Sequence, residues 1–163
     1  TIKAHKNILA ARCPFFSSYF SSHPGAGLGP LAVSVPCSSP PLLLVVLSYI
    51  YTERISEASL SLHGRAMLSL ASSLSLVRLA RICESYLLSK LDVRNAASLL
   101  IFSHESGHSM LKEGCLQFVS SNADEVMESR EWSSLVDRAP DLVAELFASA
   151  TGARKRARSN SLH

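Results

Sequence analysis

Acidic side chains are missing from both ends of this 163-residue chain: no Asp or Glu precedes Glu53, and none follows Glu145. Aromatic residues are scarce at 7%, and charged residues make up 18% against 47% hydrophobic. A hydrophobic share of that size excludes a highly charged disordered chain. Few strand-favouring aromatics beside abundant leucine favour helix. The longest apolar run, Leu42 to Leu47 extended through Ser48, Tyr49, Ile50 and Tyr51, falls far short of the ~20 residues a membrane helix needs. No positively charged start with an apolar stretch and a small-residue cleavage site opens the chain, which begins at Thr1 and reads as a fragment. There is no CxxC pair. Cys13, Cys37, Cys83 and Cys115 are scattered, which predicts buried free thiols in a reducing compartment.

What charge there is sits unevenly. Arg154, Lys155, Arg156 and Arg158 hold four of the 16 basic residues, and without them 12 basic residues stand against 13 acidic ones. The pI near 8.8 is thus a property of the tail, and a nucleic-acid-binding face on the body is not indicated. The basic cluster itself fits a short nuclear-import signal on an extended, disordered tail.

The length suits one ordinary domain or two small ones with a real core. Periodicity predicts a short helix over 4–11, stopped by Pro14, and a second over about 14–20 carrying Phe15, Phe16, Tyr19 and Phe20. Residues 21–30 are rich in glycine and proline and read as a loop. Leu31, Val33 and Val35 alternate with small residues, which predicts a short strand. Ser38, Ser39 and Pro40 open a helix to Tyr51 whose all-round apolar character predicts packing on both sides. A linker over 53–59 precedes helices over 60–72 and 75–88, the latter with Leu76, Leu79, Ile82, Cys83, Tyr86 and Leu87 on one face. Asp92 is expected to cap a helix over 93–103. A helix over 108–121 follows with Leu111, Cys115, Phe118 and Val119 inward. After a short helix over 123–128, Ser129 is expected to cap a helix over 130–137 that buries Trp132, Leu135 and Val136. Pro140 starts a last helix with Leu142, Val143, Leu146 and Phe147.

Two patterns touch on chemistry. His104-Glu105-Ser106-Gly107-His108 matches HExxH, in which two histidines on one face of a continuous helix hold zinc and the glutamate serves a metal-bound water. Gly107 and two serines interrupt the stretch, which predicts instead a turn between helices with exposed histidines. Gly25 to Gly29 lacks the spacing and the following helix of a phosphate loop. No GxSxG elbow is present. No catalytic, metal or cofactor-binding residues are assigned.

The run Ala4-His5-Lys6-Asn7-Ile8-Leu9-Ala10-Ala11-Arg12-Cys13-Pro14-Phe15-Phe16 resembles the AHKxILAARSPxF signature of BTB/POZ domains. Tyr49-Ile50-Tyr51-Thr52 resembles the YIYTG segment of that family, and residues 79–87 resemble its LKxxCExxL helix. Residues 91–97 look like the LxVENA opening of the three-box, where a BACK-like extension begins. Residues 132–136 and 140–145 continue the likeness to the speckle-type POZ (MATH-BTB) group, whose members also carry a basic nuclear tail. The resemblance implies an α+β, mostly helical BTB/POZ fold over 1–91, a small sheet flanked by helices with its first strand missing. An all-α three-box/BACK-like region over 92–150 and a disordered basic tail over 151–163 would follow.

It also implies a non-catalytic adaptor that joins a substrate to a cullin scaffold of a RING ubiquitin ligase. Phe20, Val93, Asn95 and Ala96 are the expected cullin-side residues, and Leu142, Leu146 and Phe147 the expected self-association surface. The partners are then a cullin, a second copy, and a protein substrate held by a domain absent from this chain, with neither nucleic acid nor membrane. The expected location is nuclear, cytoplasmic or both. Departures from the family pattern are the absent first strand and dimerising helix, the acid-free 21–30 loop where cullin-binding members carry a hydrophobic-x-Glu motif, and Glu53 in place of a glycine, which is expected to alter that turn. An oligomerisation module without cullin binding stays open as an alternative, and a zinc peptidase through His104, Glu105 and His108 as a remote one.

Overall fold

Prolines and serines set where the helices begin. Helix α1 (Lys6–Arg12) is followed at once by α2 (Pro14–Ser22), in which Pro14 occupies the first turn. Pro40 and Pro41 open α3 (Pro40–Thr52) in the same way, since a fixed φ suits this position and the missing N–H forfeits no bond there. The computed structural model describes residues 2–23, 31–37 and 39–148. Chain contacts group it into two units, Thr1–Tyr86 and Leu87–His163, with the division inside α5 (Val77–Ser89).

In the first unit α1 packs on α2 and α3, and α3 packs on α4 (Glu57–Ser73). Helix α3 buries Leu42, Val46, Tyr49 and Ile50, a single face at i, i+4, i+7 and i+8. Leu44 is 54% exposed, so the expectation that α3 packs on both sides is corrected. Each fully buried aliphatic side chain of this core contributes about 1.5–3 kcal/mol. Helix α4 starts three residues earlier than periodicity suggests. Ser56 accepts a hydrogen bond from the Ser59 N–H at 3.2 Å and so caps the helix ahead of its first core residue, Leu60.

The sequence pattern at 31–35 also needs correcting. Leu31, Val33 and Val35 are half-buried and alternate with exposed Ala32 and Ser34, a period of two. Yet no strand occurs among the described residues, because the segment has no ladder partner. The described residues are therefore helical and irregular, and the expected small sheet is not among them.

Helix stops rest on left-handed residues. After α4, Ser75 has φ 57°, its N–H donates to the Ser72 carbonyl at 3.0 Å and the Leu76 N–H donates to the Ala71 carbonyl at 2.8 Å. This is a complete Schellman motif with serine where glycine is usual. Glu53 ends α3 with φ 54°, its N–H donating to the Tyr49 carbonyl at 2.7 Å. Glu53 thus takes up the left-handed conformation that glycine adopts without strain.

The second unit centres on α6 (Ala96–Glu105), which buries Ala96, Ala97, Leu99, Leu100, Ile101 and Ser103 around most of its circumference. Helices α7 (Ser109–Ser121) and α9 (Arg130–Arg138) pack against it, and the five-residue α8 (Ala123–Met127) follows α7. Gly114 of α7 lets Leu88 approach closely, since an added Cβ would lie 2.5 Å from a Leu88 methyl. Of the three residues expected to be buried in α9, only Leu135 is. Trp132 is half-buried and Val136 is 43% exposed. Residues 140–148 are helical and bury Leu142 and Leu146. Three of the four free cysteines are buried, while Cys37 is half-buried with its Sγ 3.3 Å from the Ser39 carbonyl.

Candidate partner-binding surfaces

Helix α2 carries no charged residue and turns one apolar edge inward through Phe16. Its remaining aromatic residues make two stacks. Phe15, Tyr19 and His23 lie four residues apart, with ring centroids 6.4 Å and then 4.4 Å apart. The His23 Nδ1–H donates to the Tyr19 carbonyl at 2.9 Å, which closes the end of the helix. Phe20, the residue singled out by resemblance, stacks on Phe16 at 6.1 Å with the Lys6 ammonium 5.2 Å from its ring centroid. It is half-buried, so α2 presents an aromatic surface rather than one projecting side chain. Helical spacing marks these aromatics in the sequence; which rings stack depends on the tertiary neighbours.

The three-box turn has a different construction. Asp92 does not cap a helix directly. Its Oδ1 accepts from the Asn95 N–H at 2.9 Å, while the Asn95 Oδ1 accepts from the Asp92 N–H at 3.0 Å, the reciprocal arrangement of a capping box. Asn95 Nδ2 also donates to the Lys90 carbonyl at 2.8 Å. The bond from the Asn95 amide, opposed by slight desolvation and aided by Arg94, lowers the Asp92 carboxyl below its ordinary value. Asn95 therefore spends its amide holding the turn. Ala96 is buried at the start of α6, and Val93 is half-buried. The helix starts at Ala96, three residues later than expected, because residues 93–95 form this turn.

Of the expected self-association residues, Leu142 (0% exposed) and Leu146 (8%) are core, and Phe147 at 63% is the accessible one. Burial of the first two corrects their placement on a surface: they pack inward at a spacing of four, which turns Phe147 outward. Lys112 Nζ reaches Glu145 at 2.7 Å beside them. Arg154, Lys155, Arg156 and Arg158, and residues 24–30 of the acid-free loop, lie outside the described residues.

The HExxH match dissolves into a helix stop. Helix α6 ends at Glu105 and α7 begins at Ser109. Gly107 has φ 72°, its N–H donates to the His104 carbonyl at 3.2 Å, and the His108 N–H donates to the Ser103 carbonyl at 2.9 Å. This second Schellman motif leaves His104 on α6 and puts His108 outside it, at the N-cap of α7. Glu105 is engaged by Arg138 at 2.6 Å. His108 is only 8% exposed, against the expectation of two exposed histidines, because its ring folds back to 5.9 Å from Phe102 as such motifs favour.

Buried thiols are unreactive for a physical reason: desolvation, with a smaller contribution from Glu84, pushes Cys83 up to about 11, and desolvation also raises Cys13.

Comparison with known proteins matches residues 1–91 to the BTB/POZ domain and residues 95–147 to the BPM/SPOP, BACK domain. TD and POZ domain-containing protein 1-like of Mus musculus is 34% identical over 156 residues, covering 93% of this chain and 41% of that protein. BTB/POZ and MATH domain-containing protein 3 of Arabidopsis thaliana is 32% identical over 177 residues, covering 98% and 42%. The chain spans about two fifths of the length of these relatives. A BTB/POZ match over more than half of the chain, with a BACK domain directly after it, makes this chain a member of the BTB/POZ family.

Proposed function

We propose that the chain is a non-catalytic adaptor that joins proteins, and that one of its partners is the cullin scaffold of a RING ubiquitin ligase. The observation that supports this most is the order of a BTB/POZ domain followed by a BPM/SPOP-type BACK domain. An adaptor accelerates transfer by raising the effective concentration of one bound protein near another, which needs contact surface and no reactive group. The aromatic face of α2 and the tightly bonded 92–95 turn supply such surface in their respective units, and the exposed Phe147 supplies a point for self-association. Substrate would be held by a region outside this chain, as the MATH domain named in the Arabidopsis relative suggests. The basic residues 154–158 would serve nuclear import.

A second reading is an oligomerisation module without cullin binding. It is favoured by one observation: residues 21–30 contain no Asp or Glu, so a directional carboxylate contact worth about 1–3 kcal/mol is lacking.

A pull-down with immobilised cullin N-terminal domain tests the first reading. Retention of the wild-type chain and its loss in Phe20→Asp, with unchanged circular dichroism, is the expected result. Equal retention of both would overturn the role of α2, and retention of neither favours the second reading.

A further inference from the structure

Three separated stretches of the first unit meet around a cavity of about 170 Å³: Arg12 and Pro14, then Tyr49, Ile50 and Glu53, then Ser75 to Leu79. Its polar lining sets donors, from Arg12, Arg78 and Tyr49, beside the one carboxylate of Glu53. Arg12 Nη1 donates to the Tyr51 carbonyl at 2.8 Å and the Ile50 carbonyl at 3.3 Å, and its Nε and Nη2 have no acceptor among the described residues. Helix α5 presents its first turn here, and the N–H groups of Val77, Arg78 and Leu79 have no carbonyl partner among the described residues because they precede the helical ladder. Tyr49 is 5% exposed and lines the cavity, and among the described residues its hydroxyl makes no hydrogen bond and is not sealed off as a buried orphan. Burial, more than any neighbouring charge, raises the Tyr49 phenol above its ordinary value, so it stays a donor at neutral pH.

We propose that this cavity binds the side-chain carboxylate of an acidic residue presented by a partner polypeptide. Two arginines and one glutamate line it, a net single positive charge that matches a monoanion better than a phosphate dianion. Its volume admits a short carboxyalkyl chain and is below the range of sites for whole nucleotides or drug-sized ligands. The apolar walls, Pro14, Ile50 and Leu76, suit the methylene groups of such a side chain. Among the described residues Arg78 Nη1 is held by Glu53 alone, 3.2 Å away in a pair whose side chains are 74% and 54% exposed. That contact is screened by water and exchanges readily for a ligand carboxylate. The inference stands apart from cullin binding and survives its failure.

The test is a titration of the ¹⁵N-labelled 163-residue chain, followed by its amide resonances, with the capped peptide acetyl-Ala-Leu-Glu-Leu-Ala-amide. Its Gln counterpart, an acid-free peptide with a free C-terminus, and inorganic phosphate serve as parallel probes. Saturating shifts at Val77, Arg78 and Leu79 with a dissociation constant of about 1 mM or tighter are expected for the Glu peptide alone. Tyr49→Phe, which keeps shape and removes one donor, should weaken binding about fivefold, and the exposed Arg78→Gln should weaken it as well. Equal binding of the Glu and Gln peptides, tighter binding of phosphate or of the free C-terminus, or unchanged affinity in both folded variants would overturn the proposal.

Discussion

Replacing Ser75 by glycine should make the protein more stable, although it removes atoms and adds no contact. Ser75 sits at φ 57°, where an L side chain crowds its own backbone. The Schellman bonds around it, Ser75 N–H to Ser72 and Leu76 N–H to Ala71, demand that conformation. Among the described residues the serine hydroxyl makes no hydrogen bond, and the residue is exposed, so little is lost with the side chain. Relief of left-handed strain is worth about 1–2 kcal/mol, and the extra freedom of glycine in the unfolded chain takes back about 0.4–1 kcal/mol. The net gain is roughly 0.5–1 kcal/mol, a rise of about 1–4 °C in melting midpoint for a chain of this length. Thermal unfolding followed by far-ultraviolet circular dichroism reads it. Ser75→Ala is the control, because it keeps the Cβ and should not gain. If Ser75→Gly melts at or below the Ser75→Ala midpoint, the residue is not left-handed in solution and the account of this helix stop is wrong. Glu53→Gly should gain less, since it also gives up the exposed pair with Arg78.

The opposite change, Gly107→Ala, should cost about 1–2 kcal/mol in a urea titration, purely through the backbone, because no atom lies within 4 Å of the added Cβ; a neutral result would contradict the helix stop drawn between His104 and His108. Leu142→Ala should destabilise the chain by about 2–5 kcal/mol, whereas Phe147→Asp should leave the melting curve within about 0.5 kcal/mol and lower the sedimentation coefficient of self-associated material. Melting of Phe147→Asp comparable to that of Leu142→Ala would place Phe147 in the core. Above pH 9 stability should fall: the unfolded chain releases the Cys83 proton near the ordinary thiol value of 9.0, while the folded chain holds it to about 11. The unfolded state is therefore the one stabilised by ionisation between those values. Cys13 and Tyr49, also raised, act in the same direction. Urea midpoints from pH 8 to 10.5 should decline, less steeply in Cys83→Val, and an identical slope in the variant would refute the assignment.

Helices with a clear apolar stripe were readable from sequence because burial and periodicity carry the same information. In α5, Leu79 and Cys83 are buried with Ile82 and Tyr86 beside them, as the spacing requires. Residues 31–35 show where such patterns stop being sufficient: their alternation is real in burial, but a strand is a relation between two segments. Helix α3 reads as apolar all round, and only tertiary packing decides that Leu44 faces water. The helix ends near Glu53 and Ser75 were legible from the pattern, but the left-handed residues that close them were not, because such turns are usually signalled by glycine and here other residues hold them. The HExxH stretch was legible as a turn through its Gly107, while the burial of His108 follows from its contact with Phe102. The Arg12–Tyr49–Arg78 cavity left no local signature, since its parts come from three stretches brought together only by folding. Similarly, the role of Asn95 in holding the 92–95 turn depends on three hydrogen bonds that spacing alone does not reveal.

Cullin binding is the central claim, and calorimetric titration of the 163-residue chain with a purified cullin N-terminal domain tests it most directly. The account predicts saturable heat with a dissociation constant of about 10 µM or tighter and one cullin per chain, reduced in Phe20→Asp. A folded, self-associated protein that gives no heat of binding would contradict it and leave the oligomerisation module as the function.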